Sequence, residues 1–389
     1  MRTGGTVVIG AGPAGLASAA ELRRRGVPAV VLERGDGIAT SWRGRYDRLR
    51  LNTSRWFSQL PGGRYAPGTG IFPSRDEVVR YLEDYAGDNA LDVRLNTEVQ
   101  RIDRDDAGWV VRTSGADVTA EHVVVAAGYE HTPHVPDWPG RERFHGSLLH
   151  AADYRNPEPY RDRDVLVVGP GCSGMEIAYD LAEGGAARVR LAVRTPPNML
   201  VRSPVGPAFA LLLSRVRPQR ADRIVNFVRS KAIGDLTEYG LPVPEEGTFS
   251  RLHRLHVAPA IIDKVVVEAI RQRRIEIVAG VESLDETGAG LADGTLIEPD
   301  TVIAATGYRR GLERMVGHLG VLDDAGMPRA FAAEAAAPGL RFVGYLHLPA
   351  QLRYSGREAT RVAKAIAGEL RPHAGPATSG HLAAFGGAH

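Results

Sequence analysis

One cysteine, Cys172, occurs in 389 residues, so an internal disulfide and a CxxC redox pair are excluded. Lysine is nearly missing: three residues (Lys231, Lys264, Lys364) among 48 basic ones, a usage we read as codon bias and not function. An excess of one charge is also lacking. The 48 basic residues face 46 acidic ones, and a net charge of +2 is too even for a nucleic-acid footprint. No run of 18 apolar residues occurs, which excludes a membrane-spanning helix. The opening MRTGGTVVIG enters a strand at once and leaves no room for a signal peptide, so the chain is expected to be soluble and cytoplasmic. Against these absences stand 43% hydrophobic and 24% charged residues, the balance of a globular chain that buries a large core. At about 150 residues per domain, 389 residues predict two to three domains.

The chain contains a long-range repeat. Thr6-Val7-Val8-Ile9 leads into Gly10-Ala11-Gly12-Pro13-Ala14-Gly15, then LASAAELRRRG and a second apolar run, AVVLE. Asp164-Val165-Leu166-Val167-Val168 leads into Gly169-Pro170-Gly171-Cys172-Ser173-Gly174, then MEIAYDLAEGG and RVRLAVR. The first glycines lie 169 − 10 = 159 residues apart, too far for a solenoid period. Each unit reads as strand, glycine turn, helix, strand. Val123–Gly128 and Val302–Gly307 read as further strands that end at small residues, as strands do when they deliver the chain to a ligand. Between about 196 and 250 the pattern degrades, with prolines at 196, 197, 204, 207, 218, 242 and 244 around the apolar patch Ala208–Leu213. A substrate-access lid and an inserted helical hairpin over the core both fit that irregularity. The Gly-, Ala- and His-rich tail after Leu370 is expected to fray.

A GxGxxG turn is informative when strand, helix and a distal polar residue accompany it. The glycines permit the tight turn and the close approach of a pyrophosphate, whose charge the helix N-terminus stabilises. In the first unit Glu33 lies 33 − 10 = 23 residues past the first glycine, where a carboxylate accepts bonds from a ribose diol and repels a 2′-phosphate. In the second unit the matching position is Arg194, 194 − 169 = 25 residues on, and a guanidinium is what a 2′-phosphate requires. The first site therefore predicts an unphosphorylated adenosine ribose, as in FAD or NAD, and the second NADPH; FAD is assigned to the N-terminal site because the C-terminal segment must return to close it. Two such sites in one chain predict a flavoenzyme reduced by a nicotinamide cofactor.

Phe144-His145-Gly146-Ser147-Leu148-Leu149-His150-Ala151-Ala152-Asp153-Tyr154 fits FxGxxxHxxx(Y/F) and lies just before the second nucleotide turn. In this segment the chain resembles the class B flavin-dependent monooxygenases. Ser41–Gly62, Phe72–Ala86, GPGCSGMEIAYDL and Val302–Tyr308 are similar to the plant YUCCA-like branch and its bacterial relatives, with motifs in order from residue 6 to about 368. The resemblance implies that Gly10, Gly12, Pro13, Ala14 and Gly15 hold the FAD pyrophosphate, Glu33 its ribose, and Ser41 and Trp42 neighbour the flavin. Asn52, followed by Thr53, matches the asparagine that flavin-containing monooxygenases keep beside the flavin. It is the one catalytic candidate. Gly169, Gly171, Cys172, Ser173, Gly174, Met175 and Glu176, with Arg194, match the NADP-contacting turn. Arg34, Val99, Ala127, Thr306, Gly307, Gln351 and Leu352 complete the implied cofactor contacts. His150 and Tyr154 are read as structural, in a segment that links domains. His131, His134, His253 and His256 lack carboxylate or cysteine partners at zinc-like spacing, so no metal is expected.

The implied fold is α/β, with two Rossmann-like dinucleotide-binding domains of the three-layer ββα type. An NADPH domain (156–304, with a cap-like insertion at about 196–250) is set into an FAD domain (1–155 and 305–389). The implied activity is NADPH- and O2-dependent, through a C4a-(hydro)peroxyflavin, on a small organic substrate. Asn52 leans the reading toward N- or S-oxygenation. YUCCA-like similarity keeps oxidative decarboxylation of an aryl 2-oxo acid open. The Baeyer–Villiger alternative is weakened, because the fingerprint ends in Tyr154 and not Trp, and Asp47 and not proline follows Tyr46. A disulfide reductase fails on its single cysteine, whereas an FAD/NADPH electron-transfer reductase or oxidase stays open. A homodimer is one option for assembly.

Overall fold

The computed structural model describes residues 5–106, 108–255, 258–346 and 350–370. His256 and the tail after Leu370 lie outside the described residues. The elements that position the site are, in chain order, β1 (Thr6–Ile9), α1 (Pro13–Arg23), β2 (Ala29–Leu32), α2 (Arg75–Asp88), β3 (Asp92–Arg94), β4 (His122–Val125), β5 (Ser147–His150), β6 (Asp164–Val168), α3 (Cys172–Glu183) and β7 (Arg188–Val193). They continue with β8 (Met199–Val201), α4 (Gly206–Leu213), α5 (Pro218–Ala232), α6 (Thr248–Leu255), β9 (Ala260–Ile262), α7 (Lys264–Arg271), β10 (Glu276–Ala279), β11 (Thr301–Ala304), β12 (Leu340–Phe342) and α8 (Gln351–Glu369).

Two parallel five-stranded sheets carry the architecture. The first has the order β12-β4-β1-β2-β3 and the second β10-β7-β6-β11-β5. Continuous apolar strands are what a sheet covered on both faces requires, and the period-2 alternation shows which residue covers which face. Val8, Val31 and Val124 face a core shared with α1, α2 and α8, whereas Val7, Ile9, Val30, Leu32, Val123 and Val125 face an antiparallel layer containing Val99, Ile102, Trp109, Val111 and Val118. The second sheet repeats the division. Val165, Val167, Val189, Leu191 and Ile303 pack toward α3 and α7, and Leu166, Val168, Ala192, Val302 and Ala304 pack toward Leu284 and Ala289 of another antiparallel layer.

The chain returns to the first sheet with β12, after the second sheet is complete, and α8 then packs along α1 through Val362, Ala363 and Ile366. β5, which carries part of the Phe144–Tyr154 fingerprint, is the edge strand of the second sheet. In the segment at about 196–250, Leu213, Ala221 and Val225 form a small core with Leu200 and Phe249. The segment opens with β8, which pairs in parallel with β9, and continues as the helices α4, α5 and α6.

Candidate active site

The first glycine turn is closely built. Gly10 has φ +100°, and a Cβ there would lie 2.7 Å from the Ala126 carbonyl oxygen. A Cβ on Gly15 would meet the Gly10 carbonyl oxygen at 1.8 Å, so helix and strand approach as closely as glycine allows. Gly12 faces open space. No side chain caps α1 at Gly12, and Pro13 occupies the start of the helix. The first-turn amides are therefore left for an anionic ligand. Glu33, 7% exposed at the end of β2, accepts hydrogen bonds from the Ala11 N–H (2.7 Å) and the Gly35 N–H (2.9 Å). Its carboxylate braces the turn and keeps lone pairs for a ribose diol.

Other predicted residues gather around that turn. Ala39, in left-handed conformation, donates its N–H to the Ala11 carbonyl (3.1 Å) and folds the short helix Thr40–Arg43, with Ser41 and Trp42, beside it. Ala127 lies against Gly10, and Gly344 approaches Ala14. Gln351 at the start of α8 donates to the Gly344 carbonyl (3.3 Å), and Leu352 is buried. Val99 is buried in the antiparallel layer, and Arg34 contacts the His131 ring at 3.0 Å on the exposed side.

The second turn has the same construction. Gly169 has φ +113° with the Ala305 carbonyl oxygen 2.5 Å from its would-be Cβ, Gly174 would clash with Gly169 at 1.9 Å, and Gly171 is open. α3 likewise starts without a side-chain cap. Met175 is fully buried beneath the turn, next to Ser173. Thr306 and Gly307 follow β11, where Thr306 bonds the His134 carbonyl. Arg194 is exposed at the end of β7 and makes no ion pair among the described residues.

Between the two turns lies a network that sequence reasoning missed in part. The Asn52 amide donates to the Cys172 sulfur (3.5 Å), and its oxygen accepts from the Arg202 guanidinium (3.3 Å). Arg202 also pairs with Glu176 and with Asp263 (3.1 Å), and the Tyr46 hydroxyl donates to Glu176 at 2.6 Å. The predicted residues Asn52, Cys172 and Glu176 thus meet through Arg202, Tyr46 and Asp263, for which the sequence offers no spacing signal. Burial pushes the Glu176 carboxyl above its ordinary range despite Arg202, and pushes the Cys172 thiol up to about 11, so it stays a thiol. A polar cavity of about 280 Å³ adjoins this network, lined by Asp47, Arg48, Arg50, Tyr179 and the Arg202–Glu176 pair. Thr53 turns away and shares a hydrogen bond with Ser58 (2.6 Å).

A second cavity, about 390 Å³, is mostly apolar and has Phe57, Leu211, Phe249 and Tyr354 among its walls. Its charged lining is basic, with Arg353 and Arg357 on α8 beside His253, and no carboxylate. It lies against the loop after Asn52 and the start of α8.

The fingerprint residues bind protein, not a cavity. Both His150 ring nitrogens are engaged by backbone: Nδ1 accepts the Ala152 N–H (3.0 Å), which makes Nε2 the donor to the Gly307 carbonyl (3.0 Å). Burial lowers the His150 pKa and holds the ring neutral. Tyr154, fully buried, donates its hydroxyl to Asp180 on α3 (2.8 Å).

A model of the pyridine nucleotide-disulphide oxidoreductase family matches residues 7–204. The indole-3-pyruvate monooxygenase YUCCA1 of Oryza sativa subsp. japonica is 37% identical over 313 residues, covering 78% of this chain and 77% of that protein. The chain belongs to the class B flavin-dependent monooxygenases. Among solved structures, the flavin-containing monooxygenase from Stenotrophomonas maltophilia superposes with a TM-score of 0.73 at 24% identity, covering 95% of this chain and 99% of that one. The S-allyl-L-cysteine S-oxygenase of Allium sativum superposes with a TM-score of 0.66 at 20% identity, covering 95% of this chain and 78% of that one. The enzyme is an FAD-dependent oxidoreductase that uses NADPH. Its two open, uncapped glycine cradles fit two dinucleotides, and its lone cysteine, Cys172, leaves no second thiol in the chain for an internal disulfide.

Proposed function

We propose that this monooxygenase acts on an apolar 2-oxo acid, with FAD on the first turn and NADPH on the second. Bound FAD supplies the oxygen chemistry, with electrons from NADPH. For a 2-oxo acid the balance is R–CO–COOH + O2 + NADPH + H+ → R–COOH + CO2 + NADP+ + H2O. The observation that carries this reading is the apolar cavity whose charged lining is Arg353 and Arg357 without a carboxylate. Apolar walls take an aryl or alkyl group, and guanidinium groups at the rim attract its carboxylate. The similarity to an indole-3-pyruvate monooxygenase supports the same substrate class.

In this reading Asn52, held by Cys172 and Arg202, presents its amide at the meeting of the two cofactor sites. Glu33 takes the FAD ribose and Arg194 the 2′-phosphate of NADPH. The proposed division is an FAD domain of 1–155 and 305–389 around an NADPH domain of 156–304, to whose sheet β5 adds an edge strand. The test is NADPH-dependent O2 uptake with CO2 release across a panel of aryl and alkyl 2-oxo acids. Stimulation by these acids, with KM raised in Arg353→Ala/Arg357→Ala and kcat retained, is expected. No stimulation by any acid in the panel would overturn the substrate class. A second reading, heteroatom oxygenation, rests on Asn52, and stimulation by a sulfide or amine in the same assay selects it.

A further inference from the structure

α4 and α5 violate the usual relation between helix composition and environment. α4, GPAFALLL, is apolar on every side, and such a helix belongs inside a core or a membrane. Yet only Pro207 and Leu213 of it are buried. Val205, Phe209, Leu211, Leu212, Val216, Ile224, Phe227 and Val228 are all exposed, with Val205 at 67%, Leu212 at 61% and Phe227 at 64%. These eight are half of the sixteen exposed large hydrophobic residues among the described residues, gathered within 24 consecutive positions. An apolar patch of that concentration marks an interaction surface.

The exposed charges on the hairpin are of one sign. Arg215, Arg217, Arg220, Arg223 and Lys231 are exposed and form no ion pair among the described residues. The single acid between Val205 and Ala232, Asp222, is buried and spent on the Phe249 N–H (2.6 Å) and Ser250. A chain of net charge +2 thus places five cations without an ion pair among the described residues in the same stretch as these eight exposed apolar residues. The nineteen residues after Leu370 carry only Leu382 and Phe385 as large apolar groups, too few to cover eight. A second copy docked patch to patch would set cation against cation.

We propose that the α4–α5 hairpin docks the enzyme on an anionic lipid surface. An amphipathic element with apolar residues flanked by arginines lies in the headgroup plane with its apolar side in the acyl boundary. No described helix is long and apolar enough to cross a membrane, so the contact is peripheral. Pro207 and Ala210 of the same hairpin, together with Leu211 and Val216 of the exposed patch itself, also line the apolar cavity. A docked hairpin therefore opens that cavity toward the lipid phase, from which apolar compounds enter. This holds whichever substrate the enzyme oxygenates.

The experiment is co-flotation of the FAD-loaded full chain with vesicles of phosphatidylcholine alone or with one-quarter phosphatidylglycerol. Binding to the anionic vesicles, weakened by 0.5 M salt, is expected, with little on the neutral ones. Each basic side chain near such a surface contributes about fivefold in partitioning. Arg220→Glu/Arg223→Glu is therefore expected to lower partitioning by about 25-fold or more while FAD content and NADPH oxidation persist. Phe227→Ser/Leu212→Ser is expected to weaken binding without changing its salt dependence. Absence of binding to both vesicle types overturns the proposal, and sedimentation of the lipid-free enzyme as a dimer lost in Phe227→Ser/Leu212→Ser would reassign the surface to a second copy. Equal binding to both vesicle types would overturn its electrostatic part.

Discussion

Arg202 is the residue whose removal tests the site most severely. Its side chain is 4% exposed and faces Glu176, 9% exposed; Asp263 and Asn52 also accept from its terminal nitrogens, while its buried Nε–H has no partner. Replacing it with methionine keeps the stem and deletes the charge, leaving Glu176 buried with only the Tyr46 hydroxyl. Removing one partner of a buried pair costs about 3–5 kcal/mol. The neighbouring polar cavity admits water beside Glu176 and places the expectation at the lower end, about 3 kcal/mol. The assay is urea unfolding of the FAD-loaded enzyme at several pH values. Burial already raises the Glu176 carboxyl, so the folded state binds its proton more tightly than the unfolded state, and destabilisation grows as pH rises through the folded value. Arg202→Met raises that carboxyl further. Its penalty is therefore largest at pH 8 and shrinks toward pH 5.5. Adding Glu176→Gln should recover much of the loss, because the amide leaves no buried charge. A penalty below about 1 kcal/mol, independent of pH and deepened by Glu176→Gln, would refute the pairing as the source of stability.

Three further outcomes are expected. Arg194→Ala should raise KM for NADPH by roughly 10- to 150-fold, the worth of a charge-assisted hydrogen bond, and leave NADH kinetics nearly unchanged; equal effects on both cofactors in initial-rate assays would remove Arg194 from 2′-phosphate recognition. Asn52→Ala loses contacts to Cys172 and Arg202 and should raise hydrogen peroxide released per NADPH consumed, measured by peroxidase-coupled dye, with an unchanged ratio removing Asn52 from the mechanism. Stability should fall as pH drops below about 6.5, because His150 is held neutral in the fold and the unfolded chain binds that proton more readily; this slope, read by thermal unfolding, should flatten in His150→Gln.

The parallel strands β1, β4, β6 and β11 were legible because each is a short apolar run ending at glycine or a small pair, and burial on both faces demands that composition. The glycine turns were legible for a stronger reason: Gly10, Gly15, Gly169 and Gly174 have no room for any side chain, so backbone geometry is written directly in residue type. Antiparallel layers such as Val99–Asp105 with Gly108–Thr113 left weaker marks, since one of their faces is solvated and their charged residues break the apolar runs. Arg202 left none. It follows a three-residue strand within a proline-rich stretch, and its role comes from β8 pairing with β9, which carries it to Glu176 on α3 and to Asn52 from the first unit.

Arg202 thereby couples the two glycine turns. Asn52 comes from the loop after the first turn, Cys172 and Glu176 open the helix of the second, and Arg202 bonds both sides. His150 and Tyr154 make a second tie, joining β5 to Gly307, three residues past β11, and the segment after β5 to α3. Both ties converge on α3, through Glu176 and Asp180 one helical turn apart. A ligand that orders the start of α3 therefore acts on the Asn52 loop through Arg202 and on the fingerprint through Tyr154. The two couplings are separable: Tyr154→Phe should disturb the fingerprint tie and leave Asn52 in place, while Arg202→Met should do the reverse. Hydrogen exchange at residues 52–54, with and without NADP+, distinguishes them. Protection that responds to NADP+ in Tyr154→Phe and fails to respond in Arg202→Met is the result this arrangement requires.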